Sequence, residues 1–394
     1  MPTRPCWVGI RTRALEDNFR FLASTVAPHA ELLAIVKADA YGHGLVHCVP
    51  TVVRAGVRWL GVTSVEEGIA ARALCAEPRI LVIGGIFPGQ GADVLRHNLT
   101  AVVWEPYQLD ELEAAASGTG LAPASLSVHL EFDTGMSRQG VDAAGLGTIL
   151  ARFTPQSPLR LDGLMTHLFA SDEADGRATQ EQLIRLEQAI AQVHAAGHRP
   201  EWLNVGATAA LLAGDAEIVS TLAARHGMSP LLRPGLALYG VVPRYVPPFA
   251  EEPAVLAAAR KHLRPVLSWK SRVVSVRAAE PGTAVGYNGT FVATEPMRLA
   301  LIAAGYADGL DRMLGNRFSL LVRGQRAPLA GRISMDQAVL DVTEIDDVAP
   351  GDEVVILGTQ GEETITAFDH ADACGTIPWE VFTRIGQRVE RRAI

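Results

Sequence analysis

From residue 30 to about 240 the chain alternates short, nearly unbroken apolar runs with longer amphipathic stretches. The runs are LLAIVKA (32–38), WLGVTS (59–64), RILVIGG (79–85), TAVVWE (100–105), LSVHLEFD (126–133), RLDGLMTH (160–167), WLNVGA (202–207) and LLRPGLALYG (231–240). Runs without alternation are expected of parallel strands covered on both faces. Three intervening stretches carry helix signals. SVEEGIAARALCA opens on a Ser64/Glu67 capping box, EPYQLDELEAAA follows, and RATQEQLIRLEQAIAQVHAAG closes at Gly197. Eight strand–helix units predict an α/β fold of (β/α)8 barrel type over residues 10–245, with a doubly wound sheet as the alternative.

A proline-rich stretch, VVPRYVPPFAEEP (241–253), interrupts this pattern. Beyond it lie PVLSWKSRVVSVRAA, RLALIAAGYADG, RFSLLVRG, QAVLDVT and DEVVILGT, separated by turn residues without helix-length segments. They predict a β-rich domain over 246–394, ending in a short helix near WEVFTRIGQRVERR. Residues 1–9 are grouped with it.

With 394 residues, 48% of them hydrophobic, the chain can bury a large core. A net charge of −8, with no basic cluster beyond RVERR, argues against nucleic acid as a partner. No apolar leader stands at the N-terminus, and the apolar runs are too short for a membrane span. Cys6, Cys48, Cys75 and Cys374 are dispersed, with no metal-ligand spacing. These features predict a cytoplasmic protein without a metal.

In a barrel, chemistry gathers at the C-terminal ends of the strands. Lys37 ends the first run and Glu131 and Asp133 the fifth. His167 ends the sixth, Thr208 follows the seventh, and Arg233 and Gly235 lie in the eighth. The loops after the last two strands are the usual phosphate site of such barrels, where Gly206, Thr208 and Gly235 offer a hydroxyl and open backbone amides. A phosphate site joined to a lysine able to condense with a carbonyl points to pyridoxal 5'-phosphate. Taken singly these are weak signals, since a strand-end histidine is more often a hydrogen-bonded core residue.

AIVKADAYGHG (34–44) resembles the cofactor-lysine motif of the alanine racemase family. The similarity continues in order through FDTGMSRQG (132–140), MTHLFASD (165–172), ATAA (207–210), RPGLALYG (233–240), VGYNGT (285–290), GYADG (305–309) and GRISMDQ (331–337). The resemblance implies a barrel followed by a β domain, in homodimers with shared active sites. It also implies interconversion of L- and D-alanine with pyridoxal 5'-phosphate, the D-alanine serving cell-wall synthesis. Lys37 would hold the cofactor and serve one face of the α-carbon. Tyr287, from the partner subunit, would serve the other, helped by His167. Arg233 would face the pyridine nitrogen, with Tyr41, Thr208 and the amides of Gly235 and Leu236 at the phosphate. Arg138 and the Met335 backbone would bind the substrate carboxylate. Asp336 belongs to the same motif, and Tyr306 and Arg332 would line the entrance.

Two positions depart from the family pattern. Many members have a carbamylated lysine where this chain has Glu131, a permanent carboxylate expected to take over its role toward Arg138. A tyrosine is common where Trp379 stands in GTIPWE (375–380), and this bulkier donor-only ring bears on the pocket's size. A serine or broad-specificity racemase is therefore an alternative. A decarboxylase of this fold type fits less well, because it typically has an acidic residue at the pyridine nitrogen. A non-catalytic pyridoxal-phosphate carrier lacks the second domain.

Overall fold

The computed structural model describes residues 4–26 and 30–394. They form two compact units. One holds the described residues between 13 and 40 together with 48–264, and the other holds 4–12, 41–47 and 265–394.

The first strand, β1 (Cys6–Ile10), belongs to the second unit. The next eight are β2 (Glu31–Ile35), β3 (Trp59–Val62), β4 (Arg79–Val82), β5 (Leu99–Val103), β6 (Leu126–Glu131), β7 (Leu159–Met165), β8 (Trp202–Ala207) and β9 (Ser229–Arg233). Each pairs in parallel with the next, and β2 closes the ring on β9 with Glu31 opposite Leu231. The closure decides between the barrel and the open sheet. Leu33, Leu60, Leu81, Val102, Leu130, Leu164, Leu203 and Leu232 are all buried, as runs without alternation require.

Between the strands, helix Val65–Arg72 is capped by the Ser64 hydroxyl, which accepts from Glu67 N at 3.3 Å. Helix Pro106–Ala116 has its capping box in Glu105 and Gln108. Helix Arg177–Ala195 turns Leu183, Leu186, Ile190 and Val193 inward. The unit continues past the proline-rich stretch, through helix Ala254–His262 with Leu256 and Ala259 buried, to Arg264.

Polar side chains inside the barrel wall are paired or stacked. Asp162 on β7 is buried and takes ion pairs from Arg79 and Arg160, while the Arg79 guanidinium lies 4.0 Å over the Trp59 ring. Buried His129 on β6 meets Trp59 edge-on at 5.5 Å. Gly163 leaves room for that imidazole, because a Cβ there would stand 2.6 Å from it.

In the second unit, β1 pairs antiparallel with β10 (Leu267–Ala279) and parallel with strand Glu390–Ala393. The sequence reading put a short helix near WEVFTRIGQRVERR. Helix Pro378–Thr383 covers the first part of that stretch, and Glu390–Ala393 at its end is instead an edge strand on β1. A further helix, Ala367–Cys374, has a Thr366/Asp369 capping box that the sequence reading passed over. Gly42 also belongs to this unit. It takes φ +74°, and any Cβ would lie 2.2 Å from the Phe382 carbonyl oxygen. Arg391 donates to the carbonyls of Gly42, Ile385, Gly386 and Val389, so the C-terminal arginines have a structural use.

Candidate active site

Lys37 stands just beyond β2, where Val36 N–H still donates to Gly61 O at 2.9 Å. The chain then turns with the opposite hand. Ala38, Asp39, Ala40 and Tyr41 all have φ between 52° and 56°, and Ala40 N–H closes the turn on Val36 O at 2.9 Å. Each such L-residue costs roughly 1–2 kcal/mol against the right-handed form, so the surrounding structure must impose this path. Glu67 is one restraint. Its carboxylate accepts from Ala38 N–H and from Thr63 N–H, each at 2.7 Å, instead of returning to the Ser64 amide as a capping box would. Lys37 is half-buried, and its pKa is lowered by burial first and then by Arg138. Glu67 opposes that shift, and Arg233 adds to it. A larger share of free amine near neutrality follows.

Arg233 ends β9 as a buried cation. Its terminal nitrogens donate to Asn204 O at 2.7 Å, to Asn204 Oδ1, to Thr166 O at 2.8 Å and to His167 Nδ1 at 3.2 Å. None of these bonds uses Nε. Burial pushes its pKa down to about 10, with Glu131 opposing, which still leaves it charged at neutral pH. Because arginine only donates, His167 Nδ1 must accept, and the ring hydrogen sits on Nε2. Burial, then Arg233, Arg138 and Lys37, push His167 down to about 3, so it is a neutral imidazole. Asn204, a polar residue inside an apolar strand, was missed in the sequence, although that contrast was its signal.

Thr208 is buried, and its hydroxyl oxygen accepts from Gly235 N–H at 3.0 Å and Ala237 N–H at 3.2 Å. Both lone pairs are then used, so its own hydrogen is available to donate. The Gly235 N–H thus donates within the loop. The intervening Leu236 N–H takes neither bond. Gly206 carries φ +87° ahead of Thr208. Tyr41 is buried in the second unit, and burial pushes its hydroxyl up to about 12, so it stays a protonated donor.

Glu131 ends β6, buried, with its pKa raised by that burial against the Gln139 hydrogen bond, Arg233 and Arg138. Its carboxylate takes its bond from Gln139 Nε2, whose amide also donates to Ile83 O at 3.0 Å. Sequence reasoning paired Glu131 with Arg138. The structure brings Arg138 close enough to stabilise the carboxylate but gives the direct contact to Gln139. A glutamate is shorter than a carbamylated lysine, which accounts for the difference. Asp133 folds the loop that carries Arg138 by accepting from Gly135 N–H at 2.9 Å and Ser137 N–H at 3.1 Å.

The second unit gathers the remaining motifs. Tyr306 N–H donates to Ser334 O at 3.0 Å, and Ala307 N–H donates to Met335 O at 2.9 Å. A Cβ on Gly305 would lie 2.4 Å from Met335 O, and one on Gly286 would lie 3.3 Å from Arg332 O. VGYNGT, GYADG and GRISMDQ are thus interlocked, with Tyr287 66% exposed and Met335 52% exposed. Asp308, fully buried, receives Arg4 at 2.6 Å and Arg388 at 2.7 Å, and Arg388 reaches Asp336 at 2.8 Å. These contacts fix the turns, and sequence reasoning did not name Asp308 or Arg388. Tyr306 also lines an open cleft of about 470 Å³ with Gly309, Asp311, Arg312 and Arg384. Trp379 sits at the start of helix Pro378–Thr383, partly exposed.

A closed barrel with a low-basicity amine beside an arginine-held neutral imidazole, followed by a β unit, defines an enzyme of the barrel class. Residues 10–243 match the alanine racemase N-terminal domain, and residues 266–393 match the alanine racemase C-terminal domain. The chain is 35% identical to the alanine racemase of Syntrophobacter fumaroxidans over 97% of its own length and 95% of the relative's. It is 36% identical to that of Sorangium cellulosum, covering 98% of each. The crystal structure of alanine racemase from D-cycloserine-producing Streptomyces lavendulae superposes with TM-score 0.87 at 32% identity, covering 100% of this chain and 98% of that one. The Bartonella henselae alanine racemase, solved with covalently bound pyridoxal phosphate, gives TM-score 0.82 at 26% identity over 100% of both chains. The chain belongs to the alanine racemase family, a family of isomerases that interconvert L- and D-alanine.

Proposed function

We propose that this chain binds pyridoxal 5'-phosphate through Lys37 and racemises alanine as a cytoplasmic homodimer. In each active site, Lys37 of one subunit and Tyr287 of the other serve opposite faces of the α-carbon. The reading is carried by the lowered basicity of Lys37 at a barrel strand end, beside Arg233 and neutral His167. A base must be unprotonated to take a proton, and this environment favours the free amine.

The donor set fits a phosphorylated aldehyde. Lys37 would hold the carbonyl carbon covalently. The Thr208 hydroxyl, the Leu236 amide and the Tyr41 hydroxyl would meet the phosphate, and Arg233 and His167 would lie at the ring. When bound, the cofactor supplies an electron sink for the α-carbon's electron pair. The residues of the chain do the rest. Arg138 and the Met335 backbone bind the substrate carboxylate, with Asp336 beside them. Lys37 Nζ takes or returns a proton on one face, and Tyr287 Oη does so on the other. His167, fixed in one tautomer by Arg233, would hydrogen-bond that tyrosine through Nε2. Arg233 cannot release its proton near neutrality, so it would leave the ring nitrogen unprotonated and keep the cofactor a moderate electron sink. Tyr306 and Arg332 line the entrance, and Trp379 bears on the size of the pocket.

The cytoplasmic assignment is supported by the free cysteines and by a chain in which, among the described residues, no helix is long and apolar enough to cross a membrane. D-alanine for cell-wall synthesis is the corresponding role. In deuterated water, the protein should exchange the α-hydrogen of L-alanine and form D-alanine, and Lys37→Ala should abolish both. Exchange and D-alanine formation that persist in Lys37→Ala would overturn the assignment.

A further inference from the structure

Glu67 is not needed where the sequence motif puts it. In a capping box the third-residue glutamate returns to the amide of the cap residue. Here Ser64 caps the Glu67 amide, but the Glu67 carboxylate reaches back to Thr63 N–H and across to Ala38 N–H, both at 2.7 Å. Ala38 N–H is the first amide after Lys37 and opens a run of four left-handed residues. Backbone in that region holds only where neighbours over-determine it. The same bond fixes the peptide plane on which the Lys37 side chain is mounted.

We propose that Glu67 is a positioning residue for Lys37, clamping the Lys37–Ala38 peptide so that the amine is aimed into the barrel mouth. The inference rests on the reading of Lys37 as the cofactor-bearing base. The charged and titratable groups acting on Lys37 are Arg138, Arg233 and Glu67, with His167 neutral beside it. Among them Glu67 supports the ammonium and the two arginines oppose it. Removing its charge therefore makes Lys37 less basic still.

The chain has three lysines, Lys37, Lys261 and Lys270, so acylation of each by an amine-reactive reagent is resolved by peptide mass. Exposed Lys261 serves as the internal reference. In the full-length protein freed of cofactor, Glu67→Gln should move the pH midpoint of Lys37 acylation down by roughly half a unit or more, leaving Lys261 unchanged. In the holoenzyme, Glu67→Gln and Glu67→Ala should lower kcat for L-alanine by about 10- to 100-fold, with KM within about two-fold. If Glu67→Ala does not fold, the isosteric Gln variant decides. An unchanged Lys37 midpoint together with an unchanged kcat overturns the clamp. Racemase activity surviving in Lys37→Ala would instead overturn the reading of Lys37 on which the clamp rests.

Discussion

Arg233 spends both terminal nitrogens on Asn204, Thr166 and His167, so its charge is fixed in place and it dictates the histidine's tautomer. Glu131 acts electrostatically on Arg233 from the end of β6. It is a buried carboxylate, held by Gln139 and stabilised electrostatically by Arg233 and Arg138. Glu131→Gln should lower kcat/KM for alanine by about 3- to 10-fold, through looser positioning of Arg138. Steady-state kinetics check this, and unchanged constants would show that Arg138 is set by its own loop. Lys37, His167 and Arg233 were legible because charged or polar residues closing apolar runs stand out against them. Gln139 was not, since its amide gains meaning only through the partner that the fold supplies.

At the level of elements, the eight strands were legible because burial on both faces writes itself as unbroken apolar sequence. The left-handed turn after Lys37 was not, since Ala38 and Ala40 do not favour positive φ and no glycine stands among residues 38–41. Ser64 and Glu67 looked like a self-contained cap because spacing alone cannot reveal a competing amide. The C-terminal strand looked helical for a similar reason, as its pairing with β1 spans the whole chain. The turn makes a direct prediction. Ala38 is exposed, so a valine there meets no packing obstacle, yet its branched side chain opposes φ +52°. Ala38→Val should cost about 1–2 kcal/mol in urea denaturation, against near zero at an ordinary exposed site. An unchanged midpoint would mean that the turn tolerates branching.

Over the whole molecule, buried imidazoles couple stability to pH on the acid side. Burial pushes His129 and His167 from 6.5 to about 3, so the unfolded chain binds protons on these rings over a range where the folded chain does not. Their contribution is present above pH 6.5 and is lost as pH falls toward about 3, approaching about 1.4 kcal/mol per pH unit for each ring. His129→Leu should flatten the dependence of unfolding free energy on pH by about one proton between these limits, and an equal slope would refute this. The whole molecule is also the scale of catalysis, because the proposed bases lie on different subunits. Chains carrying Lys37→Ala and chains carrying Tyr287→Ala should each be inactive alone. Unfolded together in equal amounts and refolded with pyridoxal 5'-phosphate, they should regain about a quarter of wild-type racemase activity, since half the dimers are mixed and each mixed dimer has one intact site. Recovery near that value is the predicted result; no recovery from well-folded mixed dimers would contradict the shared two-base site.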